Sequence, residues 1–260
     1  MKYEDMPGIR RSDLWKINRT PLHFRYAMDH PEEPTPALIF GQAAHKIILE
    51  PDSFFEEFEV APAVDKRTKE GKKIWLDFCD YCNDNGLDVI SLEDYEKLCC
   101  MNQTMFEHPV AKELLNGKHE QPFIWTDPDT GEICKVKVDC LTEYQGEKYI
   151  VDYKTTDSCE DGKFERSAKK YGYKFQAGMY REGVFQSTFE QYKFAFVAQE
   201  KTAPYAVRVY FCDEEFLNEG YDQFRTLLGI YHDCKTTGIW YGYAGPDNIP
   251  DILMGDDEND

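Results

Sequence analysis

Hydrophobic and polar residues alternate with period two over residues 135–140, a pattern typical of a β-strand with one buried face. The apolar set, which we expect on a single face, is Val136, Val138 and Cys140. A turn at residues 145–147 joins this strand to a second apolar run, which leads directly into Asp152 and Lys154. The pattern therefore predicts a β-hairpin that carries Asp139 on one strand and Asp152 and Lys154 at the end of the other.

The rest of the chain is predicted to be mainly helical before residue 117 and to alternate strands with helices after it. Helices are predicted at residues 12–29 (with a break at Pro21), 38–50, 66–82, 91–106, 109–115, 173–185 and 213–234, further strands at 55–62, 120–126, 192–198 and 205–211, and either a helix or a loop at 159–171. This order predicts a single α/β or α+β domain with a mixed central sheet flanked by helices. Its expected parts are a helical N-terminal part (about 12–115), a sheet core (about 117–212), a C-terminal helix (213–235) and, beyond residue 250, a disordered acidic tail at 251–260.

The composition supplies enough apolar residues for a sizeable core, with 42% hydrophobic and 15% aromatic residues in a chain of 260. No run of about 18 apolar residues is present, so the sequence predicts no membrane span. The N-terminal sequence MKYEDMPGIRR lacks the apolar segment of a signal peptide, so we expect a cytoplasmic protein. The nine cysteines are then expected to be reduced, and Cys79 and Cys82 have no second CxxC pair that would complete a zinc site.

The formal net charge of −19 argues against a protein that coats DNA non-specifically, because binding to phosphates depends on Lys and Arg. It does not exclude an enzyme with a locally basic groove. The densest basic stretch, residues 66–73, includes Arg67, Lys69 and Lys72 and opens a predicted helix. A solvated helix face is the usual role of such a stretch, and contact with DNA phosphates is the competing interpretation.

The predicted hairpin brings the carboxylates of Asp139 and Asp152 towards each other on neighbouring strands. Two converging carboxylates repel each other, and a carboxylate beside an apolar run is costly unless a cation meets it. Oxygen ligands of this kind are the ones that Mg²⁺ selects. The alternative interpretation is that Asp152 and Lys154 form a surface salt bridge worth ~0–1 kcal/mol.

Two predicted helices carry further polar residues that could face the hairpin. His45 lies among small and apolar residues, with Gly41 four positions before it and Leu49 four positions after it on the same face. It is either a structural histidine or a catalytic or metal-binding residue. Gln176 and Tyr180 are four positions apart and share one face of a later helix.

The ordered set His45, Asp139, Asp152-Tyr153-Lys154 and Gln176-x-x-x-Tyr180 resembles the PD-(D/E)xK nuclease superfamily, and the Q-x-x-x-Y element is typical of its RecB-like branch. The sequences of residues 40–51 and 67–72 are most similar to RecE-type prophage exonucleases (exodeoxyribonuclease VIII). The resemblance covers about residues 12–234. It implies a restriction-endonuclease-like core built on a mixed central sheet.

The resemblance also assigns roles to individual residues. The implied ligands for one or two Mg²⁺ or Mn²⁺ ions are Asp139, Asp152, His45, the backbone carbonyl of Tyr153 and, as a weaker candidate, Glu120. Lys154 would orient or deprotonate the attacking water or stabilise charge at the phosphorus, and Gln176 and Tyr180 would position the DNA strand. Asp139 departs from the common pattern, since it follows valine rather than proline. No iron–sulfur cluster is expected, because the cysteines that follow Cys159 are too widely spaced.

The activity implied is exonuclease digestion of linear double-stranded DNA, 5′→3′ and processive, in phage-type recombination. The implied partners are a single-strand-annealing protein and further copies of the chain in a ring-shaped oligomer. Two alternatives stay open: a catalytically inactive nuclease fold that serves as a DNA-binding or assembly subunit, and a sequence-specific endonuclease of the same superfamily. The intact Asp139, Asp152 and Lys154 argue against the first, and the net charge of −19 argues for it.

Overall fold

The helices and strands predicted from the sequence are present in the computed structural model, which describes residues 3–249. The helices are α1 (Arg11–Leu14), α2 (Pro21–Asp29), α3 (Pro36–Leu49), α4 (Lys69–Asn85), α5 (Leu92–Glu107), α6 (Pro109–Leu114), α7 (Lys163–Tyr171), α8 (Tyr173–Thr188) and α9 (Glu214–Thr237). The strands are β1 (Ile9–Arg10), β2 (Phe58–Val60), β3 (Asp88–Ile90), β4 (Lys118–Thr126), β5 (Ile133–Tyr144), β6 (Glu147–Thr156), β7 (Lys193–Glu200) and β8 (Val207–Cys212). The short strands β1 and β3 were not predicted, and the expected acidic tail at 251–260 lies outside the described residues.

Side-chain caps fix where six of the helices begin. The capping residues, each of which accepts a hydrogen bond from the backbone N–H three positions further on, are Thr20, Thr35, Thr68, Ser91, His108 and Asp213. Each cap satisfies one of the N–H groups that the first helical turn leaves without a partner. In α2 and α3 a proline follows the cap, where its missing N–H has no consequence. These local signals explain why the helix starts can be predicted from the sequence.

The central sheet has six strands and is mixed, as predicted. β5 pairs antiparallel with β4 and with β6, β6 pairs parallel with β7, and β7 pairs antiparallel with β8. The parallel pair requires a crossover, which α7 and α8 supply. β1 pairs parallel with β5 at Ile9↔Cys134 and Arg10↔Lys135, on the edge of β5 opposite β4 and in the segment that β6 does not reach. β2 and β3 form a separate two-stranded parallel sheet.

Helices cover both faces of the sheet, so β6 is buried on both sides. Ile150 packs with residues of α8 and α9, whereas Val151 and Tyr153 pack with residues of α3 and α5. Alternation along the strand places Asp152 on the α8 side and Tyr153 on the α3 side. None of the helices in residues 3–249 combines the length and the apolar composition that a membrane-spanning helix needs.

One detail of the predicted hairpin is wrong. Val136 and Val138 pack in the cluster on the α8 side, but Cys140 is buried in the other cluster, with its Sγ 3.6 Å from the Leu114 carbonyl oxygen. The change of face occurs at Asp139. The facing residue on β4, Glu120, has φ 51° in the left-handed region, and it interrupts the ladder between His119↔Cys140 and Gln121↔Val138. This local distortion reverses the inward and outward alternation within β5.

The crossing of α8 and α9 leaves no room for a side chain, and this gives a stability prediction. A Cβ on Gly178 would lie 2.3 Å from the backbone carbon of Gly220. Gly178→Ala is therefore expected to lower the free energy of unfolding by about 2–3 kcal/mol, because two backbones must move apart. Urea unfolding followed by circular dichroism measures the loss.

The matched control is Gly229→Ala on α9, where a Cβ would meet nothing within 4 Å. This substitution is expected to leave stability unchanged or to raise it by up to about 1 kcal/mol, because alanine is the better helix former. Equal losses for Gly178→Ala and Gly229→Ala would contradict the close crossing of the helices.

Candidate active site

β5 and β6 separate at the two aspartates. The last residues that pair across the hairpin are Cys140 and Val151, and Asp139 and Asp152 are the next positions on the two strands. Where the ladder ends, Asp139 Oδ2 accepts a hydrogen bond of 2.8 Å from the backbone N–H of Tyr153. The side chain of Asp139 thus holds the two strands together at the point where they part, and both carboxylates lie at this fork.

Asp152 is 1% exposed and keeps an incompletely satisfied carboxylate. Gln176 Nε2 donates to its Oδ1 over 2.5 Å, and Lys154 Nζ lies 2.5 Å from its Oδ2. Lys154 is the one close partner that the described residues provide for Oδ2. Burial raises the pKa of Asp152 to about 6; the Lys154 ammonium opposes this rise and the charge of Asp139 adds to it. A further cation would stabilise this oxygen.

His45 reaches the fork from α3. Its Nε2 lies 3.2 Å from Asp139 Oδ2, and its Nδ1 lies 3.0 Å from the carbonyl oxygen of Gly41, to which an Nδ1–H can donate. Burial lowers the pKa of His45, but the Asp139 carboxylate outweighs it and the pKa is raised overall. For Asp139, burial raises the pKa, and His45, Lys154 and the Tyr153 N–H together bring it below its usual value. The ring of His45 packs edge-on against the ring of Tyr153, with centroids 5.0 Å apart.

Glu120 brings a third carboxylate to the same region from β4. It forms an ion pair with Lys137, and its side chain is 19% exposed. Burial raises the pKa of Glu120, and the charge of Asp139 raises it further. A non-glycine residue with left-handed backbone is strained, and such strain is common at functional sites. The strained backbone and the interaction of its charge with that of Asp139 both indicate that Glu120 belongs to the site.

These side chains open on a cleft of about 700 Å³. Six of the residues predicted for the site line it: His45, Glu120, Asp139, Lys154, Gln176 and Tyr180. Asp152 lies buried behind Lys154 and Gln176. The predicted DNA contacts Arg67, Lys69 and Lys72 do not line this cleft. Arg67 is an exposed residue that pairs with Asp65 over 2.9 Å.

Two residues of the cleft were missed by the sequence reasoning. Arg11 lines the cleft, donates to the backbone carbonyls of Tyr171 and Gly172, and stacks near Trp15. Burial lowers the pKa of Arg11, and the charge of Asp152 is among the influences that oppose this. Nothing local in the sequence marks this arginine, because the two carbonyl groups to which it donates lie about 160 residues further along the chain.

Tyr173 is the second missed residue, and its ring centroid lies 5.2 Å from Lys154 Nζ. Such a contact between a cation and an aromatic face is attractive. Tyr173 lies three positions before Gln176 in the same helix, so helical spacing could have identified it.

The donor atoms at the fork are of the chemical types that a divalent metal ion binds. The two carboxylates and the imidazole of His45 are ligands that such ions accept. The donors are not drawn together, however: within residues 3–249, no three His, Cys, Asp or Glu side chains are grouped closely enough to hold a metal. Lys154, 2.5 Å from Asp152 Oδ2, supplies the positive charge there.

Comparison with solved structures places the fold among known proteins. The chain is similar to the crystal structure of a "Putative exonuclease" from Eubacterium rectale, with 15% sequence identity and a TM-score of 0.52 over 89% of this chain and 77% of that one. A second structure, SSO0001, is 14% identical with a TM-score of 0.37, over 84% of this chain and 75% of that one. The first likeness supports the fold alone, and the second is too weak to support an inference. No curated protein matches this sequence.

The family assignment rests on the sequence of most of the chain. Residues 12–249 match the model of a family described as a PDDEXK-like domain of unknown function, DUF3799. Nucleases with this core generally use divalent metal ions. The match concerns the superfamily and does not distinguish its RecE-type branch. The chain therefore belongs to the PDDEXK-like family DUF3799, within the PD-(D/E)xK nuclease superfamily.

Proposed function

We propose that this protein is a divalent-metal-dependent exonuclease that hydrolyses the phosphodiester bonds of linear double-stranded DNA. The observation that carries the proposal is the fork between β5 and β6. There, Asp139, Asp152 and Lys154 come together beside a cleft, and the buried Asp152 Oδ2 lies 2.5 Å from Lys154 Nζ. A phosphodiester is an anion that needs positive charge around its oxygens when water attacks it. The ammonium of Lys154 provides one such charge.

The chain's own residues then have distinct tasks. Lys154 orients the attacking water or stabilises the negative charge that develops on the phosphate oxygens. Gln176 fixes the orientation of the Asp152 carboxylate by donating to Oδ1. Asp139, Asp152 and His45 would hold a divalent cation, with Glu120 and the Tyr153 carbonyl as further ligands. That cation would make bound water more acidic and neutralise charge on the phosphate.

The details of the proposed activity and its partners follow the RecE-type resemblance and the exonuclease description of the Eubacterium rectale protein. It comprises 5′→3′ digestion in phage-type recombination in the cytoplasm, a single-strand-annealing partner and a ring-shaped homo-oligomer. Gln176 and Tyr180 would guide the strand inside the cleft. Arg67, Lys69 and Lys72 would give a second contact with DNA outside it.

The test is digestion of linear double-stranded DNA with Mg²⁺ or Mn²⁺, compared with a closed circle and a nicked circle of the same sequence. We expect loss of the linear DNA alone, with mononucleotides or short products from the start, and no activity in excess EDTA. Labels on the 5′ and 3′ ends report the direction. Discrete fragments from the closed circle would instead indicate an endonuclease, and no cleavage of any substrate would contradict the proposal.

The second candidate is a catalytically inactive subunit, which is favoured by the lack of a grouped three-ligand set in residues 3–249 and by the net charge of −19. Calorimetric titration with Mn²⁺ separates the two functions. An enzyme should take up Mn²⁺ in wild type and lose this uptake in Asp139→Asn and Asp152→Asn. Absence of uptake in wild type, together with DNA binding, would favour the inactive subunit.

A further inference from the structure

Most cations at the cleft are already neutralised by carboxylates of the protein itself. Lys46 pairs with Glu50 and Glu57, and Lys137 pairs with Glu120. Arg10 pairs with Asp13, and Lys154 with Asp152. Binding of a DNA backbone depends on cations that are available to replace counterions on the phosphates. The cleft needs additional positive charge next to it if it is to hold DNA.

Exposed cations without a carboxylate partner within 4.0 Å are concentrated in two helices of the described chain. The first set is Lys69, Lys72 and Lys73 on α4, and the second is Arg166, Lys169 and Lys170 on α7. Both sets occur in a chain with a net charge of −19, where carboxylates outnumber cations. Of these two helices, only α7 has a residue that lines the cleft, namely Tyr171 at its C-terminal end.

α7 is fixed against the catalytic side of the molecule. Arg11, which lines the cleft, donates to the carbonyl oxygens of Tyr171 and Gly172. Gly172 has φ 67°, and a Cβ there would lie 2.6 Å from the ring of Trp15. Directly after this junction, Tyr173 begins α8, the helix that holds Gln176 against Asp152. The end of α7 is therefore attached to the same segment that positions the site.

The cations of α7 form a row on one flank. Lys163, Arg166 and Lys170 follow the spacing i, i+3, i+7, which places them along a single face. The other flank, with Glu165 and Lys169, lines a separate cavity of about 670 Å³ that contains none of the site residues. We call Lys163, Arg166 and Lys170 the α7 basic row.

Helix stability alone does not account for this row. Cations in the last turn of a helix interact favourably with its dipole, which would suit Lys170. Lys163 lies in the first turn, where a cation is unfavourable, and its partner Glu160 is itself 69% exposed. Arg166 lies between the two ends and has no carboxylate partner among the described residues. The row is therefore a line of exposed positive charge that helix stability does not explain.

We propose that the α7 basic row contacts the phosphate backbone of the DNA that enters the cleft, an inference that rests on the proposed nuclease function. Successive phosphates of one strand present a line of negative charge to the row. The contact is independent of base identity, since it involves backbone charge alone. It supplies affinity beside a cleft whose own cations are largely paired.

The experiment measures DNA affinity against salt concentration for wild type and for Arg166→Gln/Lys170→Gln. This variant removes the two cations of the row that have no carboxylate partner within residues 3–249. The probes are a fluorescent blunt duplex and its single strand, in EDTA to prevent cleavage. For the duplex we expect affinity to fall roughly 10-fold or more. The slope of log K against log [salt] should become shallower by about 1–2 units, since each lost phosphate contact contributes ~0.9. In steady-state cleavage KM should rise while kcat stays within about twofold of wild type.

The matched control is Lys112→Gln/Lys118→Gln, which also removes two exposed lysines that have no carboxylate partner in the described residues and do not line the cleft. It should leave the slope and KM at wild-type values. A third variant, Lys69→Gln/Lys72→Gln, tests the competing basic set on α4.

The outcomes separate the inference from the function on which it rests. If wild type digests DNA and the α7 variant keeps the wild-type slope and KM, the inference is overturned and the nuclease function stands. The same holds if only the α4 variant changes the slope. If wild type neither binds nor cleaves DNA, both fail. If it binds without cleaving, the function fails, and the slope of the α7 variant still decides the inference.

Discussion

Lys154→Ala is expected to lower kcat/KM for DNA hydrolysis by about 10³-fold, measured by release of acid-soluble nucleotides from linear duplex DNA. The lysine pairs with the buried Asp152, with Nζ 2.5 Å from Oδ2, and it lines the cleft. Removal takes away both a proton-transfer or water-orienting group and a charge that faces the phosphate. Lys154→Arg keeps the positive charge and should therefore retain part of the activity that Lys154→Ala loses. Recovery should be incomplete, because the guanidinium is larger and planar.

Folding must be measured in parallel, because Lys154→Ala also leaves Asp152 buried without its cation. Loss of one partner of a buried ion pair lowers the free energy of unfolding by up to about 3–5 kcal/mol. Protonation of the Asp152 carboxyl group makes this loss of stability smaller. Binding of DNA in EDTA provides a second control, since a folded variant should keep the contacts outside the cleft.

A lysine in the same sheet serves as the matched variant. Lys193 on β7 pairs with Glu147 at the surface, with both side chains about half exposed. Lys193→Ala should change activity and stability little, because exposed ion pairs contribute ~0–1 kcal/mol. A folded Lys154→Ala that hydrolyses DNA at the rate of Lys193→Ala would exclude a catalytic role for Lys154.

The parts of this molecule that could be predicted from the sequence are those encoded by local patterns. Alternation of apolar and polar residues identified β5 and β6, and the four-residue spacing placed Gln176 and Tyr180 on one helix face. The hairpin then forces Asp139 and Asp152 together, since strand pairing leaves little freedom in register. His45 could be predicted as a site residue because it is a polar residue in an otherwise apolar helix.

The parts that could not be predicted depend on contacts between distant segments. No local signal shows that Glu120 adopts a left-handed backbone conformation opposite Asp139, and hence that Cys140 changes face. The density of lysines drew attention to α4, because a sequence shows where cations are but not which of them are paired. The packed structure alone shows that Lys137 pairs with Glu120 and that Arg166 has no carboxylate partner among residues 3–249.

Asp127→Ala is expected to lower the free energy of unfolding by about 3–5 kcal/mol, the usual cost when one partner of a buried ion pair is removed. Asp127 is 1% exposed at the turn between β4 and β5. It accepts hydrogen bonds from the backbone N–H of Thr130 over 2.9 Å and from its hydroxyl over 2.7 Å. It also pairs with Arg225 on α9. The substitution leaves these donors without their acceptor in a buried position.

Asp129→Ala is the matched variant, because Asp129 belongs to the same turn and pairs with the same arginine over 2.7 Å, yet is 75% exposed. It should cost no more than about 1 kcal/mol. The comparison therefore separates burial from the mere presence of an ion pair at Arg225. Denaturant unfolding of the two variants and wild type gives both losses.

The pH dependence gives an independent check on Asp127. Burial alone would raise its pKa, but hydrogen bonds from Arg225 and Thr130 outweigh burial and hold the pKa below its usual value. A carboxyl group with a lowered pKa in the folded state contributes stability above its unfolded pKa of about 4, and this contribution disappears as pH falls through the folded value. The difference between wild type and Asp127→Ala should therefore be constant at neutral pH and shrink below about pH 4.

This ion pair has a consequence for the site as well as for stability. Asp127 joins the β4–β5 turn to α9, and α9 crosses α8 at Gly178 and Gly220, next to the turn of helix that carries Gln176. Asp127→Ala should thus loosen the contact between Gln176 and Asp152, so that a lower kcat accompanies the lost stability. If Asp127→Ala and Asp129→Ala lose the same small amount of stability at every pH, the buried pair contributes no more than an exposed one.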